Sequence, residues 1–321
     1  MKITVLDADS LGADIDLAPL SALGEVTVYP ATIPADLPAH AAGADVLVLN
    51  KVKVNAAVLP DAGSVRLICL AATGTDNVDL DYCRARGIGV CNVVGYSTDS
   101  VAQLTVSMVL SLMNHLPAYT AFVGSGAYTK SGIPNRLTPV FRELRGKTWG
   151  ILGCGHIGGQ VAAVAKAFGC RVLTHRRTPS EEWEQTDVDT LCAESDILTV
   201  HLPLTADTRH IVSRERLALM KPDAILVNVA RGAVVDEAAV AEAVLSGKLG
   251  GFGCDVYSVE PLPADHPYTA LLGRPDVCLT PHMGWGAYEA RVRVIDEIAE
   301  NIRSFYAGGS RSRVDRPAGE N

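Results

Sequence analysis

Aromatic residues are scarce, at 5% of 321, whereas glycine (29) and proline (17) are plentiful. That balance suits an α/β protein with many short turns better than a β-sandwich. There is no surplus of positive charge: Lys+Arg 28 against Asp+Glu 36 gives a net charge of −8. Nothing in that balance attracts a phosphate backbone, so nucleic acid is excluded as a partner and the mild acidity reads as solubility. None of the eight cysteines (Cys69, Cys83, Cys91, Cys154, Cys170, Cys192, Cys254 and Cys278) stands in a C-x-x-C pair. Several lie in apolar runs such as Leu67-Ile68-Cys69-Leu70, so they read as small buried hydrophobes, with no disulfide and no metal site. The N-terminus, MKITVLDADS, is a strand and a turn and lacks the apolar stretch of a signal peptide. The most apolar helical stretch, Val101–Met113, is interrupted by Gln103, Thr105, Ser107 and Ser111, too polar and too short to span a bilayer. A cytoplasmic protein with no membrane partner is expected.

Apolar residues at 48% and charged residues at 20% are ordinary for a globular chain. The length is about twice that of a typical domain, which predicts two of them. Short apolar runs alternate with helix-length amphipathic stretches, the pattern of parallel sheets covered by helices. In the first third the expected strands are Ile3–Asp7, Val26–Tyr29, Val46–Asn50, Leu67–Ala71 and Gly89–Asn92, and no glycine-rich loop follows any of them. A long helix is expected from Thr98–Asp99 to about His115, followed by an irregular stretch over Gly124–Pro139. A second series then offers six strands: Thr148–Leu152, Arg171–Thr174, Ile197–Val200, Ala224–Val229, Gly251–Cys254 and Val277–Leu279. Six such strands make a doubly wound, dinucleotide-binding sheet of the Rossmann type. The last helix, Ala287–Tyr306, is long enough to cross back to the first domain, and the tail from Gly308 has no apolar periodicity and is expected to be mobile. The expected domains are residues 1–97 with 287–321, and residues 98–286.

The strand Thr148–Leu152 runs straight into Gly153-Cys154-Gly155-His156-Ile157-Gly158, with a helix expected from about Gly159 to Phe168. A lone G-x-G-x-x-G is weak, but its place between strand and helix confirms it. Gly153 allows the tight turn, Gly155 lets backbone approach a pyrophosphate, and Gly158 lets helix and strand pack closely. The helix N-terminus then offers N–H groups and a positive dipole end to the phosphates, and His156 and Ile157 are counted with the three glycines as cofactor-binding residues. An NAD site places Asp or Glu at the end of the second strand. Here that strand ends in His175-Arg176-Arg177. Two guanidinium groups there suit a 2′-phosphate, which favours NADP(H) over NAD(H).

Arg231, Glu260 and His282 follow the fourth, fifth and sixth strands of that series. All three lie beyond carboxyl ends of one parallel sheet, where open α/β sheets bind ligands. Arginine can clamp a carboxylate or carbonyl, histidine can exchange a proton near neutral pH, and a carboxylate beside the imidazole fixes its tautomer and favours its charged form.

These residues, with further blocks in the same order, resemble the D-isomer-specific 2-hydroxyacid dehydrogenases. The blocks are Ala71-Ala72-Thr73-Gly74-Thr75-Asp76-Asn77-Val78-Asp79, Gly95–Gln103, the glycine loop, His201-Leu202-Pro203-Leu204-Thr205, Asn228-Val229-Ala230-Arg231-Gly232, Asp255–Pro261 and Thr280-Pro281-His282. The likeness runs from about Asp45 to Ala307, and Tyr96–Gln103 with the surroundings of Trp285 looks most like the glycerate dehydrogenases, that is, hydroxypyruvate reductases. It implies a discontinuous, flavodoxin-like α/β substrate domain flanking an inserted dinucleotide domain, a cleft that closes on substrate, and a homodimer. It assigns Arg231 to orienting a 2-oxo acid, His282 to protonating its carbonyl oxygen, and Glu260 to supporting His282. Asp255 would bond the nicotinamide carboxamide, and His201, Pro203, Val229 and Ala230 would join the cofactor contacts. Amides around Thr73 and Gly74 would hold the substrate carboxylate. Glu260 separates the chain from the formate-oxidising branch, which has glutamine there. One departure is Leu137–Arg142, which carries Phe141 and no Trp where glycerate dehydrogenase-like members have an aromatic, often Trp-containing segment. Lys51 reads as an exposed lysine. The other functions this scaffold serves are a dinucleotide-sensing corepressor and enzymes for bulkier 2-oxo acids or phosphite.

Overall fold

The computed structural model describes residues 1–178 and 181–316. The chain forms two compact units, one of Met1–Ser97 with Gly286–Asn321 and one of Thr98–Trp285.

The first unit is built on a five-stranded parallel sheet: β1 (Lys2–Val5), β2 (Glu25–Val28), β3 (Val46–Leu49), β4 (Leu67–Leu70) and β5 (Gly89–Cys91), in the order β2-β1-β3-β4-β5. Strands β3 and β4 are apolar at every position, Val-Leu-Val-Leu and Leu-Ile-Cys-Leu, and every residue is buried. Continuous apolar runs of this kind belong to strands covered on both faces. One cover is the C-terminal helix Tyr288–Tyr306, whose buried stripe Ala290, Val294, Ile298 and Ile302 packs on β4 and β5.

The tail after that helix is not mobile over its described part. Val314 N–H donates to Val90 O at 2.9 Å, and the Asp315 carboxylate accepts Val90 N–H at 2.8 Å. Strand β5 is a sheet edge with unpaired backbone groups, and the tail satisfies them. Apolar periodicity cannot reveal this, because the docking is done by backbone and by the ion pair of half-buried Arg313 with buried Asp315. Burial alone would raise the Asp315 carboxyl, but the Arg313 guanidinium and the Val90 amide outweigh it and hold it below its usual range. Residues 317–321 of the expected mobile tail lie outside the described residues.

The second unit carries β6 (Thr148–Leu152), β7 (Arg171–His175), β8 (Glu184–Gln185), β9 (Ile197–Val200), β10 (Ala224–Asn228), β11 (Leu249–Cys254) and β12 (Val277–Leu279). All pair in parallel in the order β12-β11-β10-β9-β6-β7-β8. The sheet therefore has seven strands rather than the six expected. The extra one, β8, is two residues on the edge beside Leu173 and Thr174, too short for any periodicity to announce. The chain reverses its direction of travel across the sheet between β6 and β9, the switch point where such folds bind nucleotides. The helix Thr98–Met113 buries Val101, Ala102, Thr105, Met108, Val109 and Leu112 and packs on β10 and β11. The expected irregular stretch Gly124–Pro139 holds one short helix, Ala127–Ser131, and a further helix, Leu116–Gly124, precedes it. No single helix among the described residues is long and apolar enough to cross a membrane; Thr98–Met113 and Leu116–Gly124 pass that test only as a pair, bent by 66°.

Candidate active site

The register of the second sheet sets its strand ends in one row. Leu152 is level with His175 and with Val200, Val200 with Asn228, Asn228 with Cys254, and Cys254 with Leu279. The next residues along each strand are Gly153, Arg176, His201, Val229, Asp255 and Thr280. Neighbouring strands are roughly 4.8 Å apart, so one carboxyl edge gathers almost every candidate in that unit.

At the centre lies the glycine loop. Gly153 has φ +98°, and a Cβ there would sit 2.8 Å from the carbonyl carbon of His201. A Cβ on Gly158 would stand 2.3 Å from Gly153 O, whereas one on Gly155 would meet no protein atom within 4 Å. The turn and the packing need two of the glycines, and the third leaves space where a diphosphate would approach. The helix begins at His156, three residues before the expected start, with Gly155 as its N-cap. Its first-turn amides have no intrahelical acceptor and face the loop's opening.

On one side of this cradle, His175 meets Thr186 O through Nδ1 at 2.9 Å. Arg176 is half-buried, and its charge reaches the Cys154 thiol inside the glycine loop. Arg177 is exposed, and neither arginine forms an ion pair with a described residue. On the other side, His201 meets Thr199 Oγ1 through Nε2 at 3.0 Å, and Nδ1 is buried without a partner among the described residues. Burial pushes this imidazole down to about 3, so it stays neutral at working pH. A buried ring nitrogen left unpaired beside the glycine loop marks room for a ligand atom. Pro203 is exposed and Ala230 half-buried, while Val229 is buried at the end of β10. The residues present therefore fit a dinucleotide.

The histidine, its carboxylate neighbour and the arginine come next. His282 has φ +53°, the left-handed region, and its Nδ1 lies 2.9 and 2.7 Å from the two Glu260 carboxylate oxygens. A carboxylate can only accept, so Nδ1 carries the hydrogen. Glu260 Oε1 also accepts the Tyr257 N–H at 3.1 Å. Arg231 is half-buried, and its Nη1 donates to Ala230 O at 2.8 Å.

Two residues have work that pattern reading misses. Asn228, fully buried, clips the turn before Arg231: Oδ1 accepts Ala230 N–H at 3.0 Å and Nδ2 donates to Arg231 O at 2.9 Å. The available signal is a polar residue closing the apolar run Ala-Ile-Leu-Val-Asn. Asp255, 2% exposed, accepts Thr280 Oγ1–H at 2.6 Å and the amides of Met283 and Gly284 at 2.9 and 2.8 Å. It therefore ties down both flanks of His282 and holds that residue in its left-handed conformation.

In the first unit, Thr73 and Gly74 lie just beyond β4. Thr73 Oγ1 donates to Val93 O at 2.7 Å, and Asn92 Nδ2 donates to Thr73 O at 2.7 Å, so this turn is fixed. Lys51 is exposed. Among the described residues, no group of three or more His, Cys, Asp or Glu could hold a metal ion.

The sequence model for the D-isomer specific 2-hydroxyacid dehydrogenase, NAD binding domain, matches residues 106–284. The chain belongs to the D-isomer-specific 2-hydroxyacid dehydrogenase family. It is 34% identical to glycerate dehydrogenase of Methylorubrum extorquens over 98% of its own length and 99% of that protein. It is 39% identical to hydroxypyruvate reductase of Thermotoga maritima over 80% and 83%. The D-lactate dehydrogenase of Aquifex aeolicus, solved with NAD and lactic acid, superposes with a TM-score of 0.85 at 27% identity, covering 99% and 100% of the two chains. This dehydrogenase is accordingly an NAD(P)-dependent oxidoreductase with a Rossmann-type unit, and Arg231, Glu260 and His282 lie on that unit's carboxyl edge.

Proposed function

We propose that the enzyme interconverts a small 2-oxo acid and its D-2-hydroxy acid, hydroxypyruvate and D-glycerate first and glyoxylate and glycolate second, with NADPH preferred to NADH. The observation that carries the chemistry is the His282–Glu260 pair, two hydrogen bonds from one Nδ1. The named substrates rest on the glycerate dehydrogenase and hydroxypyruvate reductase relatives.

In this reading residues 98–286 hold the dinucleotide. Gly153, Gly155, His156, Ile157 and Gly158 cradle the diphosphate; Arg176 and Arg177, with His175, take the 2′-phosphate. His201, Pro203, Val229 and Ala230 line the remainder. Asp255 spends three of an ionised carboxylate's roughly four acceptor positions on the His282 loop and keeps one for the carboxamide. A bound reduced nicotinamide supplies a hydride to C2. Arg231 orients the oxo acid through paired N–H donors. Nε2 of His282 gives a proton to the carbonyl oxygen, while Glu260 offsets the imidazolium charge. The test is a panel of 2-oxo acids assayed with both cofactors. Hydroxypyruvate and glyoxylate are expected to give the highest kcat/KM; a branched or aromatic oxo acid surpassing both overturns the substrate assignment.

Glu260→Gln keeps the shape and removes the charge 2.7 Å from Nδ1. Reduction needs His282 protonated, and losing the counter-charge disfavours that form. The alkaline fall in reduction rate is therefore expected at lower pH than in the wild type. An unmoved profile would show that the pair does not govern the proton.

Large apolar side chains bunch on one stretch of the second unit: Leu116, Val123, Ile133, Leu137, Val140 and Phe141 are each 47–72% exposed. Exposure on that scale marks a protein contact, and a second copy is the simplest one. Sedimentation at micromolar concentration is expected to give twice the chain mass; a monomer rejects the homodimer. Eight unpaired cysteines support a reducing compartment, the cytoplasm.

A further inference from the structure

Outside the groups just assigned, one carboxylate is surrounded by donors. Glu237 opens the helix Glu237–Leu245. Its Oε1 accepts the Ser258 N–H at 2.9 Å, and its Oε2 accepts the Ser258 hydroxyl and the Nε2 of His266, the latter at 3.1 Å. The His266 and Glu237 side chains are 4% and 11% exposed. His266 Nδ1 accepts the Tyr268 N–H at 3.1 Å, which places the ring hydrogen on Nε2 and makes it the donor to Glu237. Tyr257 and Tyr268 wall the imidazole in, edge to face at 6.0 and 4.8 Å.

Ser258 stands between the Tyr257 amide, which Glu260 holds, and Glu260 itself. The same peptide touches the arginine turn: a Cβ on Gly232 would lie 2.1 Å from both Ser258 N and Tyr257 C. The Arg231–Gly232 backbone is thus pressed onto the Tyr257–Ser258 peptide with no room for a side chain. Glu237 fixes the one peptide on which the Arg231 turn and the Glu260 loop both rest.

We propose that Glu237, backed by His266, is a positioning residue that sets Arg231 and Glu260 in register with His282. It touches no reacting atom. This rests on the reading of His282 as the proton donor.

Glu237→Gln keeps an oxygen for the Ser258 N–H but turns an NH₂ group toward the Nε2–H of His266, so these two donors part and the side chain that anchors the Ser258 peptide is displaced. A misplacement on the ångström scale lowers kcat by about 10- to 100-fold. The alkaline fall in reduction rate moves to lower pH, as for Glu260→Gln, while the Kd for NADPH stays near the wild-type value. Ser258→Ala loses the hydroxyl bond but keeps the amide, and costs about two- to fivefold in kcat. Should Glu237→Gln fail to fold, Glu237→Asp withdraws the carboxylate by one methylene and is expected to shift the profile the same way. A lower Tm with wild-type kcat and an unmoved pH profile overturns the proposal, since a merely structural carboxylate gives that result. His282→Asn run in the same series separates the two failures. If that variant stays active, the donor reading falls and the inference with it; if it is inactive and the Glu237 variants are normal, the inference alone falls.

Discussion

His282→Asn is expected to lower kcat for 2-oxo acid reduction by about 10²- to 10⁴-fold, the contribution of a well-placed general acid. Asparagine can bond a carbonyl oxygen, but it has no proton to give at neutral pH. The Kd for NADPH is expected to hold, because the glycine cradle and the arginines after β7 stand on other strands of the sheet. The size of the loss follows from geometry. Glu260 grips Nδ1 with both oxygens, and Asp255 anchors the amides of Met283 and Gly284, so Nε2 points one way. Steady-state rates with fluorescence titration of NADPH measure both halves. A variant that keeps more than a tenth of its kcat removes His282 from the acid role.

NADPH is expected to exceed NADH in kcat/KM by at least about tenfold, equivalent to roughly 1.4 kcal/mol. A 2′-phosphate brings up to two negative charges to the end of β7, where Arg176 is half-buried and its charge is felt at Cys154. Charge-assisted bonds are worth roughly 1.5–3 kcal/mol each. Arg176→Asp removes one clamp and adds a carboxylate suited to a free 2′-hydroxyl, so the preference is expected to reverse. High salt shrinks the wild-type preference, since a partly exposed site is screened. Equal efficiencies, or an NADH preference, in the wild type would mean that both arginines serve only the surface.

Reading residues in order reached the second sheet well. Strands such as Thr148–Leu152, Ile197–Val200 and Val277–Leu279 begin and end where their apolar runs do. Buried parallel strands advertise themselves, and the loops that follow them inherit their place at the carboxyl edge. Strand β8 escaped because two residues have no period. The helix start at His156 escaped because glycine usually ends helices, whereas here Gly155 caps one. The tail escaped because its partner is a strand edge more than 200 residues away. The supporting polar residues escaped for a related reason: Asn228, Asp255 as a loop anchor, and Glu237 act through backbone amides, and an amide has no letter in the sequence. Arg231, Glu260 and His282 were legible as types at strand ends; what holds them there was not.

The first unit takes its C-terminal helix and its edge-sealing tail from the far end of the chain. During synthesis, the residues of β1 to β5 leave the ribosome long before the segment that covers β4 and β5. Everything between Thr98 and Trp285 must be translated first, a wait on the order of 10–40 s at ordinary elongation rates. Through that interval the apolar strand Leu67–Leu70 lacks one of its lids. The nucleotide-binding half can finish as soon as its own last strand emerges, so the nascent chain matures from the middle outward.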